Sequence, residues 1–349
     1  MKRHYPAIRG IAIFLVILHH AIVLGTSIPV EWGYNRAQGL GGDAMTVVSL
    51  FGWVAVPIFL FISGSFYAYA ARGEPPQISF KIVKTNLIGI LWPYLIWSLV
   101  YYLVEWIGVG TSYSIWETIK NLLTGYPYNF VPLIVFYILV SPILIKLAQR
   151  IGWLSLLGVI RVYQLFLILK VDGIQYGLLW PGWTDSLVVP VLSRTMADWG
   201  IYFPLGLYLA LNTKKTTPIL ERTKWLFIVF GLVAFGLTAG HALRFIKFPL
   251  SRHIFPLMLV FAVPVLRREW IPARRFFEAV GKHAYGLYLT HLVFINIFLL
   301  SMRAIFPWLL TQPYIIHLSI FLAALFVPLW LINWINRSRL SRLSPYLFG

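Results

Sequence analysis

The chain has 349 residues, 59% of them hydrophobic and 11% charged, and a mean hydropathy of +0.78, a balance that excludes a soluble globular protein and leaves no room for a soluble enzyme module. A net charge of +18 would suggest nucleic acid on a soluble protein. On a membrane protein it is the basic bias of cytoplasmic loops beside anionic lipid, so nucleic-acid binding is set aside. With no cysteine, disulfides, thiolate catalysis, thiolate metal sites and lipoprotein anchoring are excluded together.

Apolar runs near the ~20 residues that cross hydrocarbon recur from end to end. They predict ten spans, at about 8–25, 47–70, 86–107, 129–147, 151–169, 199–211, 225–240, 254–266, 284–302 and 313–335. The fold class that follows is all-α: a polytopic transmembrane helical bundle, one domain over residues 1–349 with no soluble domain. The sixth and eighth spans are short as drawn. The stretch 176–193 is apolar enough to be re-entrant or interfacial. Met1-Lys2-Arg3 before the first run suits a signal peptide, but the run is long and Gly25-Thr26-Ser27-Ile28-Pro29 is a poor cleavage site. It is read as a retained anchor.

Trp and Tyr crowd the span ends, as an aromatic belt requires. With the N-terminus inside, 19 of the 29 Lys and Arg fall on the inner side and 8 on the outer, with Arg9 and Arg161 inside spans. That bias predicts both termini in the cytoplasm. The basic segment Arg244–His253 falls outside against the bias; it marks either an anionic ligand or a span drawn wrongly.

Arg9 and His20 are eleven residues apart in the first run. At about 100° per residue, eleven steps return to within about 20° of the starting face, and His20 lies about 16 Å deeper along the axis. A guanidinium near the inner mouth can pair with phosphate in forked geometry, or snorkel at the membrane boundary. An imidazole near mid-membrane can act as a general base, or bond a neighbouring carbonyl. His19 lies about 80–100° off that stripe, which suits packing or orientation. In the second span, Ser63-Gly64-Ser65 places small residues mid-helix, a packing signature; Ser63 as an acyl-carrying nucleophile lacks an adjacent base.

Lys81 and Lys84 are i, i+3 and face one way on a helix, where two ammoniums at the inner mouth would help make an anion site. Pro93 should bend the third span and free a carbonyl. Glu105 and Asp198, near outer span ends, could orient a histidine or bind a sugar hydroxyl. In the ninth span Tyr288 and His291 share a face at i, i+3, giving a second intramembrane imidazole beside phenols that could bind a polar substrate or complete the base. His4, His241, His253 and His317 have no supporting spacing. No Walker A, Rossmann fingerprint, H-E-x-x-H or carboxylate-rich stretch occurs, so no metal is expected.

An arginine, ten residues and a histidine in the first span resemble the hallmark of the acyltransferase-3 family. Further blocks resemble it in order: Val56-Pro57-Ile58-Phe59-Leu60-Phe61-Ile62-Ser63-Gly64, Pro93-Tyr94-Leu95-Ile96-Trp97-Ser98, the span from Pro132 to Pro142, Tyr202-Phe203-Pro204-Leu205-Gly206 and Gly286-Leu287-Tyr288-Leu289-Thr290-His291. The likeness covers about residues 5–335. The family's arginines ahead of the third-span proline have no match: Asn86 and Gly89 stand there, with Lys81 and Lys84 upstream.

The resemblance implies a multi-pass protein of the bacterial plasma (inner) membrane. It implies O-acyl transfer from cytosolic acyl-CoA, acetyl-CoA first, to a carbohydrate or lipid-linked sugar at the cell surface. Partners are then acyl-CoA, that acceptor and membrane lipid; no oligomeric state is implied. Catalytic residues would be His20, Tyr288 and His291, with Arg9, Lys84 and Lys81 on the donor's phosphates. Direct attack assisted by His20 and a ping-pong route through acyl-histidine both fit. A transporter or flippase of a glycan or lipid-linked intermediate is the rival from another class. It lacks the internal echo that many transporters show between their halves. A structural or sensory membrane partner without chemistry is the third reading.

Overall fold

A computed structural model of the chain describes residues 4–34, 39–173 and 177–349. Lys2, Arg3 and Arg36 of the loop-charge argument, and Tyr176 at the head of the 176–193 stretch, lie outside the described residues. Among the described residues there is no strand. The α-helices in chain order are α1 (Tyr5–Glu31), α2 (Gly39–Leu50), α3 (Ala55–Ala70), α4 (Phe80–Val109), α5 (Ile115–Thr124), α6 (Phe130–Ile151), α7 (Trp153–Asp172), α8 (Ser193–Trp199), α9 (Tyr202–Leu211), α10 (Thr213–Ala242), α11 (Ser251–Ala262), α12 (Arg274–Lys282), α13 (Ala284–Ile305), α14 (Pro313–Arg337) and α15 (Ser344–Phe348).

All ten expected spans are helical, and the protein is a polytopic all-helical membrane protein. Eight stretches are long and apolar enough to cross: α1, α2 continued into α3, α4, α6, α7, α10, α13 and α14. The sixth and eighth fall short. α9 has ten residues and α11 twelve, about 15 and 18 Å of helix against ~30 Å of hydrocarbon. The causes are local: α9 runs into Asn212 and the charged start of α10, and α11 breaks at Pro264 into a short 3-10 turn ahead of Arg267. The stretch 177–192 forms no membrane helix. It holds one 3-10 turn, Gly182–Leu187, tied to the end of α7 by Lys170, which bonds Asp185 at 2.8 Å and also Thr184.

The chain forms two compact units. The first holds Phe59–Ile90 and Ser114–Glu221; the second holds the described residues up to Ile58, Leu91–Tyr113 and Arg222–Gly349. In the first, α3 and α9 cross backbone to backbone. A Cβ on Gly64 would lie 2.1 Å from the Phe203 carbonyl oxygen, and one on Gly206 would lie 2.0 Å from that of Phe61. The small residues of the second span therefore do serve packing, and Ser65 adds hydrogen bonds to the Phe61 and Gly206 carbonyls. Gly206→Ala should cost about 1–3 kcal/mol through overpacking, because backbone cannot swing aside as a side chain can. The check is the thermal midpoint in detergent; an unchanged value would contradict so close a crossing. In the same unit Arg194 bridges Asp172 at 3.0 Å and Asp198 at 3.1 Å, so α8 is held to the end of α7.

The second unit is built round α1. Its buried residues, among them Ala7, Ile8, Ala12, Ile13, Val16, Ile17 and Ala21, face more than one side, as expected of a helix enclosed by others. α12 crosses its first turns, where a Cβ on Gly10 would lie 1.9 Å from the Phe277 carbonyl oxygen and one on Gly281 would lie 1.9 Å from that of Pro6. α13 and α14 flank it further along. Gly52 lets the turn between α2 and α3 approach His19, whose Cβ would lie 2.4 Å from a Cβ there. Chain ends are tied in as well: His4 Nε2 donates to the Val263 carbonyl at 2.9 Å, and Trp97 Nε1 donates to the Leu347 carbonyl at 2.7 Å.

Candidate functional site

α1 is helical from Tyr5 to Glu31, so the eleven-residue spacing of Arg9 and His20 holds as a helical spacing. His20 is partly exposed and meets His291 of α13, which is wholly buried. Their ring centroids are 5.0 Å apart, and His291 Nε2 lies 3.3 Å from His20 Nδ1.

The protons on this pair follow from what the partners can do. His291 Nδ1 lies 2.6 Å from the Tyr288 carbonyl, which only accepts, so that nitrogen carries the hydrogen. In a neutral ring, His291 Nε2 is then an acceptor. His20 Nδ1 faces that acceptor and the Val16 carbonyl at 3.0 Å, so it too carries the hydrogen and shares it between them. The lone pair of His20 is left on Nε2. A chain of Tyr288 carbonyl, His291 and His20 thus selects one tautomer of the partly exposed ring, the arrangement a general base needs.

Tyr288 joins the site through its carbonyl, and its buried ring lies 5.7 Å from that of His291. Tyr94, in the proline block of α4, stands near Tyr285, which in turn stands near Tyr288. His19 is held apart from the pair's chain of bonds: its Nδ1 donates to the Ser49 carbonyl at 2.8 Å, and its ring packs edge-on to His20 at 5.3 Å. It orients a neighbour, as its helical phase suggests.

Arg9 is half-buried on α1 beside Gly10 and the α12 crossing. α12 is strongly two-faced. Phe276, Phe277 and Val280 are covered to differing degrees, while Arg275 and Lys282 are exposed. Arg268, just before it, grips Glu278 with two bonds of 2.7 and 2.9 Å, and this pairing holds the Glu278 carboxyl below its ordinary range. Arg274 and Lys282 lie near the same carboxylate, which Arg268 already engages. Arg274 Nε is buried with no hydrogen-bond partner. His283 at the α12–α13 joint is pushed below its ordinary value by burial and then by Lys282, so it is neutral near pH 7. The cations α12 contributes therefore outnumber its carboxylate.

Lys81 and Lys84 are exposed on the first turn of α4 and belong to the first unit, whereas Arg9, His20, Tyr288 and His291 belong to the second. α12, which crosses α1 at Gly10 next to Arg9, carries cations that the sequence alone presents only as loop charge. The signal was present: Arg274-Arg275-Phe276-Phe277-Glu278-Ala279-Val280-Gly281-Lys282 is amphipathic and carries a glycine where a helix could dock. Glu105 accepts from Tyr113 at 2.9 Å, and Asp198 accepts from Arg194. The other histidines have local partners: His241 bonds the Ile246 carbonyl, His253 accepts from Arg252 and His317 bonds Thr26. Among the described residues no group of three or more His, Cys, Asp or Glu could hold a metal ion.

A family model described as an acyltransferase domain matches residues 6–335, a range that reaches into both compact units and includes Arg9, His20, Lys81, Lys84, Tyr288 and His291. No curated protein and no solved structure matches the chain.

Proposed function

The chain belongs to the acyltransferase-3 family, and on that premise we propose that it O-acylates a hydroxyl of a cell-surface glycan or lipid-linked sugar from cytosolic acyl-CoA, acetyl-CoA first, in a bacterial plasma membrane. The observation that supports this most is the His291–His20 pair, which leaves the Nε2 lone pair of a partly exposed imidazole for chemistry. In the proposed step His20 Nε2 takes the acceptor's hydroxyl proton as that oxygen attacks the thioester carbonyl. The C–O bond forms, the C–S bond breaks, and the proton passes to the leaving thiolate to give CoA thiol. General-base help of this kind contributes ~10²–10⁴-fold. His291 positions the base. The Tyr288 phenol is proposed as donor to the developing oxyanion.

The phosphates of the donor are proposed to lie at the α1–α12 crossing, on Arg9 with Arg274 and Lys282. Lys81 and Lys84 remain candidates by helical phase alone. The crossing supports this: a Gly281 Cβ would lie 2.9 Å from the Gly10 nitrogen, and Arg9 and Lys282 are each one chain step of about 3.8 Å from those glycines. Two long cationic side chains from such neighbours can reach one phosphate group.

The test is purified protein given labelled acyl-CoA. Acyl ester and CoA thiol should form in equal amounts; movement of a glycan across proteoliposomes without thiol release would replace the enzyme with a transporter. Arg9→Ala should raise the KM for acyl-CoA about tenfold, the loss of one charge-assisted hydrogen bond, with a smaller rise for acceptor. Lys282→Ala should do the same to a lesser degree. A larger effect on acceptor than on donor would reassign Arg9.

A further inference from the structure

Beyond His20 along α1, α1 and α2 line an open cavity of about 360 Å³. Its described lining includes Thr26, Ser27, Thr46 and Ser49; the rest is aliphatic, methionine or Gly42, and no charged residue is among the described lining residues. The α1 part, Ile22 to Val30, starts about one helical turn from His19 on the same stripe and runs ~12 Å towards the helix end. The cavity also connects to the base. Ser49, on its wall, accepts from His19 at 2.8 Å through its carbonyl, and the His19 ring packs on His20.

Two of the hydroxyls of this cavity are directed. Thr46 donates to the Gly42 carbonyl at 2.9 Å and Ser49 donates to the Thr46 carbonyl at 2.7 Å. Each has spent its hydrogen on its own helix, so each can only accept from an occupant. An occupant that satisfies these two oxygens therefore brings O–H or N–H donors. A carboxylate or phosphate brings lone pairs and charge, meets these two acceptors, and finds no cation among the described lining residues. An alkyl chain leaves the hydroxyl oxygens without water or partner. The volume sits near the small end of ligand cavities, roughly 300–1,000 Å³, which suits one ring and not an oligosaccharide.

We infer that this cavity binds the acceptor as a single uncharged polyhydroxy unit, a neutral sugar ring, and delivers one of its hydroxyls towards His20. The inference rests on the acyl-transfer reading for the word acceptor; the binding preference stands on the cavity itself. Two measurements separate them. Equilibrium binding of a panel of neutral methyl hexosides, with no donor present, should weaken about tenfold in Thr46→Val, which keeps the shape and removes the accepting oxygen. In acyl transfer from labelled acetyl-CoA, the same variant should raise the acceptor KM about tenfold with the donor KM within twofold. Glycosides carrying a carboxylate or phosphate should be at least tenfold poorer acceptors than neutral ones for the wild type.

Three results would overturn the inference: anionic glycosides used as well as neutral ones, hexoside binding unchanged in Thr46→Val, or a shift in donor KM in place of acceptor KM. The last would assign the cavity to the donor's acyl chain. If hexoside binding weakens in the variant while the wild type makes neither ester nor CoA thiol, the acyl-transfer reading falls and the sugar site stands.

Discussion

His20→Ala is expected to lower turnover in acyl transfer by about 10²–10⁴-fold while the thermal midpoint in detergent stays close to that of the wild type. The two halves of this expectation have separate causes. Turnover falls because the variant lacks the Nε2 lone pair that the Tyr288–His291–His20 chain leaves available. Stability is little changed because His20 is partly exposed and its Nδ1–H is shared with the Val16 carbonyl of its own helix. Ester formation from labelled acyl-CoA, measured beside a melting curve, reads both. Full turnover with an intact fold would remove His20 from the mechanism and leave the family membership without its proposed base.

The parts of this protein legible from sequence were those governed by local periodicity. Apolar runs of the right length placed all ten helical elements, and the hundred-degree step of a helix put Arg9 with His20 and Tyr288 with His291. What the runs could not report was where a helix stops for reasons outside its own hydropathy. Asn212 and the polar start of α10 cut α9 short, and Pro264 does the same to α11. The hidden layer was pairing across large separations. Small residues at 63–65 announced packing, but not that Gly64 would meet Phe203 and Gly206 would meet Phe61, two blocks the family resemblance had already singled out. The meeting of His20 with His291, 271 residues on, is likewise a tertiary fact.

Charge was ambiguous for a different reason. Basic residues gather at inner membrane loops whether or not they bind anything, so Arg274, Arg275 and Lys282 looked the same as Lys81 and Lys84. The difference is Gly281 and Gly10. A Gly281 Cβ would lie 2.9 Å from the Gly10 nitrogen, so Arg9 and Lys282 flank one close backbone crossing. That crossing is the reason the donor phosphates are proposed to lie on Arg9 with α12, although the basic residues of α12 and α4 carried equal weight as sequence.

His291→Leu should cut kcat by roughly 10–150-fold and leave the KM for acyl-CoA nearly unchanged. When His20 takes a proton at Nε2 it becomes a cation, and its Nδ1–H is then a charged donor to His291 Nε2. A hydrogen bond to a charged group contributes roughly 1.5–3 kcal/mol, and 1.36 kcal/mol is tenfold in rate. The leucine also leaves the Val16 carbonyl alone to hold the hydrogen on His20 Nδ1, so the tautomer with its lone pair on Nε2 is held less firmly. A structural role alone would predict something else, because His291 is wholly buried and its loss could simply loosen α13 against α1. His291→Gln separates the two accounts. Its amide oxygen can accept from His20 Nδ1 at the same place, so kcat should recover by at least fivefold over the leucine variant, even if both melt at the same temperature. If kcat instead follows the melting temperature through both variants, His291 is a packing residue, and the base at His20 acts without it.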